Sequence, residues 1–170
     1  MLLTDDQWNE YFASFDKSAF RLEVHQTYTM PNEQKNFRKF LCGEPKPKDH
    51  NAGWRSELRS LLNAGKRVQR AKIVHRPFTD YTKYLLAWAI PGNVKAGEDY
   101  RIIDQPEGDV GLPIQDFWLF DERAVVHLNY REDGTQVSRE LIEKPDVEKY
   151  LKWRVRALEL GIPFNEWNGT

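Results

Sequence analysis

Cysteine is almost absent from this chain: Cys42 is the only one among 170 residues. A single thiol excludes an intrachain disulfide and any zinc site built from two or more cysteines, and a reducing compartment is the default. Net charge is lacking as well. Lys and Arg total 25 against 26 for Asp and Glu, a balance of −1, so no overall field draws the protein to nucleic acid or to an anionic membrane. The sequence has no run of about 18 apolar residues, and its first residues, MLLTDDQW, carry neither the basic nor the apolar region of a secretory signal. The expectation is a cytoplasmic location with no membrane partner. G-x-S-x-G, a Walker loop and G-x-G-x-x-G are missing too, which leaves a serine hydrolase, a P-loop nucleotidase and a Rossmann dehydrogenase without support. Nothing in the sequence asks for a cofactor or a metal.

Apolar and aromatic residues, by contrast, are plentiful. They make up 40% and 13% of the chain, with six Trp, seven Tyr and nine Phe, enough to bury one core, and the length predicts a single domain over residues 1–170. Thr4 and Gln7 spell a capping box before Trp8, Phe12 and Phe15 at helical spacing. In AFRLEVHQTY, Phe20, Leu22 and Val24 alternate with Arg21, Glu23 and His25, the pattern of a strand buried on one face. A short helix follows over Phe37, Phe40 and Leu41 to Gly43, and after the loop EPKPKDHNAG a second runs from Trp54 through Leu58, Leu61 and Leu62 to Gly65.

RVQRAKIVH reads as a strand to about His75. A helix then begins near Pro77, carries Tyr81, Tyr84, Leu85 and Trp88 on its apolar face, and ends at Pro91-Gly92. EDYRIID is a strand, QPEGDVGLP a loop, and DFWLFDERAVVHLNY a hairpin turning at 121–123. TQVSRELIE reads as an edge strand. A last helix opens at Pro145, turns Val147, Tyr150, Leu151, Val155 and Leu158 inward and stops at Gly161, and Phe164 and Trp167 of the tail are expected to fold back onto the body.

The four histidines, His25, His50, His75 and His127, fall in different elements without metal-ligand spacing. His127 reads as a hydrogen-bonded strand histidine. His75 stands at the C-terminal end of a strand, where open α/β sheets place ligands, so a ligand pocket is expected from His75, Arg76, Asp80, Tyr84 and Asp116. Cys42 reads as a small packing residue rather than a nucleophile. Charge is unevenly spread: residues 55–76 are basic and residues 98–122 acidic. The two stretches are expected to pair on folding. The alternative is a patch of Arg55, Arg59, Arg67 and Arg70 that meets nucleic acid or an acidic partner.

Over residues 67–130 the order of strand, helix, strand, loop and a strand ending in Asp121 resembles one half of the phospholipase D superfamily. That superfamily's pattern is His, any residue, Lys, four residues, Asp. Counting back from Asp121, the histidine position falls on Ile114 and the lysine position on Asp116. The resemblance implies an imidazole nucleophile and an ammonium that holds phosphoryl oxygens. Neither group is present, so no catalytic residue is assigned. SAFRLEVHQTY, FRKFLCGEP, AGEDYRIID and DFWLFDERAVVHLNYREDG together resemble an uncharacterised family of actinobacterial domains encoded beside helix-turn-helix regulators. This implies a regulatory or toxin-antitoxin-like association by analogy alone.

The expectation is an α/β fold, a mixed sheet of five to seven strands flanked by helices. Its parallel part lies in residues 67–104 and its topology is that of a phospholipase-D-like half without the His and Lys. The leading functional expectation is a non-catalytic binding module partnered with a DNA-binding regulator, with a homodimer also allowed. Opposed to it is a hydrolase or nuclease-type toxin in which Asp116 and Asp121 share a divalent metal. A bulge would be needed to bring those two carboxylates together.

Overall fold

Alternation along the strands sets the architecture. On β1 (Ser18–Glu23) the side chains of Phe20 and Leu22 point to one face and those of Ala19, Arg21 and Glu23 to the other. Because β1 sits at the centre of a seven-stranded sheet, both faces are covered. The other strands are β2 (Arg67–Val74), β3 (Asp99–Asp104), β4 (Asp116–Phe120), β5 (Ala124–Tyr130), β6 (Gln136–Leu141) and β7 (Ile162–Pro163), in the spatial order β6, β5, β4, β1, β2, β3, β7. β1, β2 and β3 are parallel neighbours; every other pairing is antiparallel. This is the mixed α/β sheet that the sequence leads one to expect, with β6 at an edge. The computed structural model describes residues 1–169, and among them no helix is long and apolar enough to cross a membrane.

The helices divide unequally between the faces. α6 (Val147–Leu160) covers one face, where Phe20, Leu22, Ala71, Ile73, Phe117, Leu119 and Val125 pack with Tyr150 and Ala157. The opposite face is covered in two places. Val68, Trp118, Phe120, Val126 and Leu128 meet α1 (Asp5–Ser14) and α3 (Ala52–Asn63). Val74, Tyr100 and Ile102 meet α2 (Gln34–Leu41), α4 (Asp80–Tyr84) and α5 (Ile90–Lys95). A gap on the same face lies between these two clusters, and it holds the site described below.

Local signals behave as their chemistry requires in most places. The Thr4 and Gln7 capping box forms at α1, Asp146 caps α6, and Phe164 and Trp167 fold back, the latter donating its indole N–H to Asp104 at 3.0 Å. The β4 to β5 hairpin turns through Asp121 and Glu122, both left-handed at φ 51 and 57.

Three expectations change. Pro91-Gly92 does not stop the helix, which starts at Asp80 under a Thr79 cap and continues to Lys95. A proline ring collides with the carbonyl four residues back. The chain relieves this by widening Leu85–Ala89 into a π-helical stretch, in which the Ile90 N–H reaches the Leu85 carbonyl, so that Pro91 opens a fresh segment. The stop is Gly97, at φ 109, where a Cβ would meet Leu62 Cδ2 at 2.2 Å. Val155 of α6 is exposed, and the helix instead buries Ala157. Cys42, expected to pack, is exposed at the end of α2.

Candidate functional site

Arg21 and Glu23 of β1 and Arg70 of β2 form the floor of a cavity. Arg21 and Glu23 on β1, Arg70 and Lys72 on β2, Tyr100 on β3 and Asp116 on β4 all point to the same face of the sheet: Arg21, Arg70 and Tyr100 are cross-strand partners, as are Glu23 and Lys72, and Asp116 alternates with Trp118, the β4 partner of Arg21. Glu23 is the hub. Its Oε1 accepts from Arg70 at 2.6 Å and lies 3.3 Å from Arg21 Nε; its Oε2 accepts from the Tyr100 hydroxyl at 3.1 Å and lies 3.6 Å from Lys72 Nζ. Arg70 also donates to Glu98 at 2.7 Å. Asp116, fully buried, accepts from the Val24 N–H at 2.9 Å, the Tyr28 hydroxyl at 2.6 Å and Arg21 at 3.3 Å.

Burial opposes charge on Arg21, Glu23, Arg70 and Lys72, and pairing decides which side prevails. Burial alone would push the Glu23 carboxyl up, yet Arg21, Arg70 and Lys72 hold it far below the ordinary carboxylate range. Burial pushes the Lys72 ammonium down, only in part offset by Glu23 and Asp116. Burial and the neighbouring carboxylates raise the phenols of Tyr28 and Tyr100.

Above this floor is a cavity of about 500 Å³, within the size range of small-ligand pockets. Trp8 and Phe12 of α1, Trp54 of α3 and Trp118 of β4 form one wall; Tyr28, Met30, Tyr81, Leu85 and Tyr130 form the other. Glu33, Glu57, Asn9, Asn51, Asn93, Gln136 and Arg139 bring polar atoms to the lining. The indole N–H groups of Trp54 and Trp118 are buried without a hydrogen-bond partner among the described residues. Glu33 accepts from the Tyr81 hydroxyl at 2.5 Å, and its burial raises its carboxyl above the usual range.

The five residues expected to form a pocket do not come together. His75 and Asp80 are exposed, Arg76 turns outward to Asp104 at 2.9 Å, and Tyr84 is buried against His50 at 2.8 Å. Asp116 lies behind the cavity floor, bonded to two of the cavity's lining residues, Arg21 and Tyr28. The four arginines expected to form one patch are also separated. Arg67 and Arg70 are three apart on β2 and so face opposite sides of the sheet. Arg70 is paired with Glu23 and Glu98, Arg55 with the Lys48 carbonyl, and Arg59 and Arg67 are exposed. Pairing between the basic and acidic stretches does occur, through Arg70 with Glu98 and Arg76 with Asp104. His127 is hydrogen-bonded, 2.7 Å from the Tyr150 hydroxyl.

The motif positions are equally informative. Ile114, at the histidine position, is 95% exposed. Asp116 and Asp121 stand at opposite ends of β4, about 16 Å apart along an extended strand, and β4 pairs with both neighbours without a bulge. A shared metal is therefore ruled out for this pair by geometry. Asp121 instead anchors the backbone, because its carboxylate accepts the N–H groups of Asp16, Lys17 and Ser18 at 2.7–3.1 Å and so fixes the entry to β1. Burial pushes its carboxyl up, but those three donors outweigh it and the net shift is downward.

Sequence reasoning missed Arg21, Glu23, Arg70, Lys72 and Tyr100 as one site. The signal was there: parallel strands are covered on both faces, so the charged alternation of a strand in a parallel pair marks a buried polar surface.

Comparison with solved structures gives a fold likeness to the phospholipase D family member Nuc from Salmonella typhimurium, with a TM-score of 0.54 at 10% identity over 92% of this chain and 90% of that one. At this identity the likeness is one of fold. No curated protein matches the chain in sequence. Residues 6–169 match the family model described as a domain of unknown function, DUF6879. With nearly its whole length covered by that match, the chain belongs to the DUF6879 family.

Proposed function

We propose that this protein is a binding module that takes a small molecule into the cavity over Glu23, and that it is not a phosphodiesterase of the phospholipase D type. One observation carries the reading. At the positions where the resemblance calls for imidazole and ammonium, the chain has an exposed hydrocarbon, Ile114, and a buried carboxylate, Asp116, already bonded to three partners. A nucleophile and a phosphoryl-binding cation are absent from those places, whereas a preformed aromatic cavity with an organised polar floor stands nearby. In the same proposal a helix-turn-helix regulator, the partner implied by the family resemblance, reads whether the cavity is filled.

The test has two arms. A ligand at one hundred times its Kd stabilises a folded protein by roughly 2.7 kcal/mol, so a metabolite library screened by thermal unfolding should contain compounds that raise Tm by several degrees. Trp118→Ala should abolish those shifts, and the protein should show no turnover of bis(p-nitrophenyl) phosphate. Phosphodiester hydrolysis that is lost on substituting Asp116 or Asp121 would overturn the reading. Co-purification of the tagged chain with a DNA-binding regulator tests the partner separately.

A further inference from the structure

The charge balance of the cavity says which class of ligand suits it. Each cation at or just behind the lining already has a carboxylate: Arg21 and Arg70 share Glu23, Arg70 also holds Glu98, Lys72 lies by Glu23, and Arg139 pairs with Asp5. Two lining carboxylates, Glu33 and Glu57, have no cation partner among the described residues. A phosphate or other polyanion would therefore meet no free cation and two unpaired anions, a combination that costs binding energy.

The same lining suits positive charge. The aromatic side chains of Trp54, Tyr81 and Tyr130 border the space, and ring faces attract cations by about 0.5–2 kcal/mol, more as water is excluded. Glu57 lies one turn from Trp54 on α3, so the two share a helix face at the mouth. Glu33 is deeper, its carboxyl pushed up by burial, which the Tyr81 hydroxyl and the charges of Arg21 and Arg70 only partly oppose. Trp118, 2% exposed, adds one more indole side chain to the same lining.

We propose, building on the binding role above, that the cavity takes an organic cation: a protonated amine that answers the unpaired lining carboxylates, on a body that packs against the aromatic side chains. The amine supplies the missing counter-charge. Phosphorylated ligands are disfavoured by the same geometry.

Calorimetric titration of the full-length protein with tyramine, with its uncharged analogue tyrosol and with adenosine 5′-monophosphate tests this. Tyramine is expected to bind more tightly than tyrosol by roughly tenfold, equivalent to about 1.4 kcal/mol, and the nucleotide not at all. Glu57→Gln, at an exposed position, should weaken tyramine severalfold and leave tyrosol and the unfolding midpoint unchanged; Glu33→Gln should weaken tyramine further. Tyrosol binding as well as tyramine, or the nucleotide binding best, overturns the cationic class while leaving a ligand in the cavity. Silence from tyramine, agmatine and choline alike also overturns it, and the thermal-unfolding library then decides separately whether the cavity binds anything.

Discussion

The two faces of the central sheet are built for different ends. Under α6 the strands present mostly hydrocarbon and aromatic rings, from Phe20 and Leu22 through Phe117 and Leu119 to Val125, with Gln69, Arg101 and His127 hydrogen-bonded to the helix. On the other face the same strands present Arg21, Glu23, Arg70, Lys72 and Asp116, between two apolar clusters that leave a cavity over Arg21, Glu23 and Arg70. Burying apolar surface stabilises a fold without regard to direction, whereas buried ion pairs bring little net stability but fix positions. The α6 face therefore holds the sheet together, and the opposite face holds a site in place.

That contrast can be broken from either side. The largest effect is expected from Glu23→Ala, which leaves Arg21, Arg70 and Lys72 without their shared carboxylate. Removing one partner of a buried ion network costs about 3–5 kcal/mol, so chemical unfolding should show a much lower midpoint and ligand-induced stabilisation should vanish. Leu119→Ala, on the α6 face and 1% exposed, is expected to cost about 2–5 kcal/mol while ligand affinity stays unchanged. Loss of affinity in that variant would mean that the faces are coupled.

A smaller effect belongs to Asp121→Ala, which strips three backbone N–H groups of their acceptor at a cost of roughly 1–3 kcal/mol. The Asp121 carboxyl is lowered in the folded state, so its stabilisation is complete above the ordinary Asp value of about 4 and is lost as pH falls through the lower native value. Unfolding curves of Asp121→Asn should therefore lose part of the wild-type decline below about pH 4. The smallest effect is expected at Arg67→Ala, an exposed position away from the cavity, within about 0.5 kcal/mol of wild type and with ligand affinity intact.

Much of the frame was legible in the residues. Capping chemistry at Thr4, the hairpin at 121–123, the edge strand after it and the returning Trp167 are all set by local rules, and local rules are what a sequence displays. The site was not legible, for a physical reason. Arg21 and Glu23 alternate with apolar residues as in any half-exposed strand, and only the strand order, with β1 between β2 and β4, turns their face inward. Asp116 was picked out, but as a pocket wall with His75 and Arg76, because nothing local reveals that its carboxylate meets Tyr28 and Arg21 across 88 and 95 residues of chain. The π-helical stretch before Pro91 was invisible for a similar reason. A proline marks a helix stop unless packing on both sides, here from Tyr84, Trp88 and Ile90, holds the segment helical.

Six tryptophans make the central claim directly measurable. Trp8, Trp54 and Trp118 line the cavity, whereas Trp153 stands on α6 and packs against Phe117, and Trp167 packs with Phe78 and Phe164. In ¹H–¹⁵N spectra recorded during titration with a bound ligand, the account predicts that the indole signals of Trp8, Trp54 and Trp118 move together while those of Trp153 and Trp167 stay still. Movement confined to Trp153 or Trp167, or to the backbone of residues 114–121 with the cavity tryptophans unmoved, would contradict it.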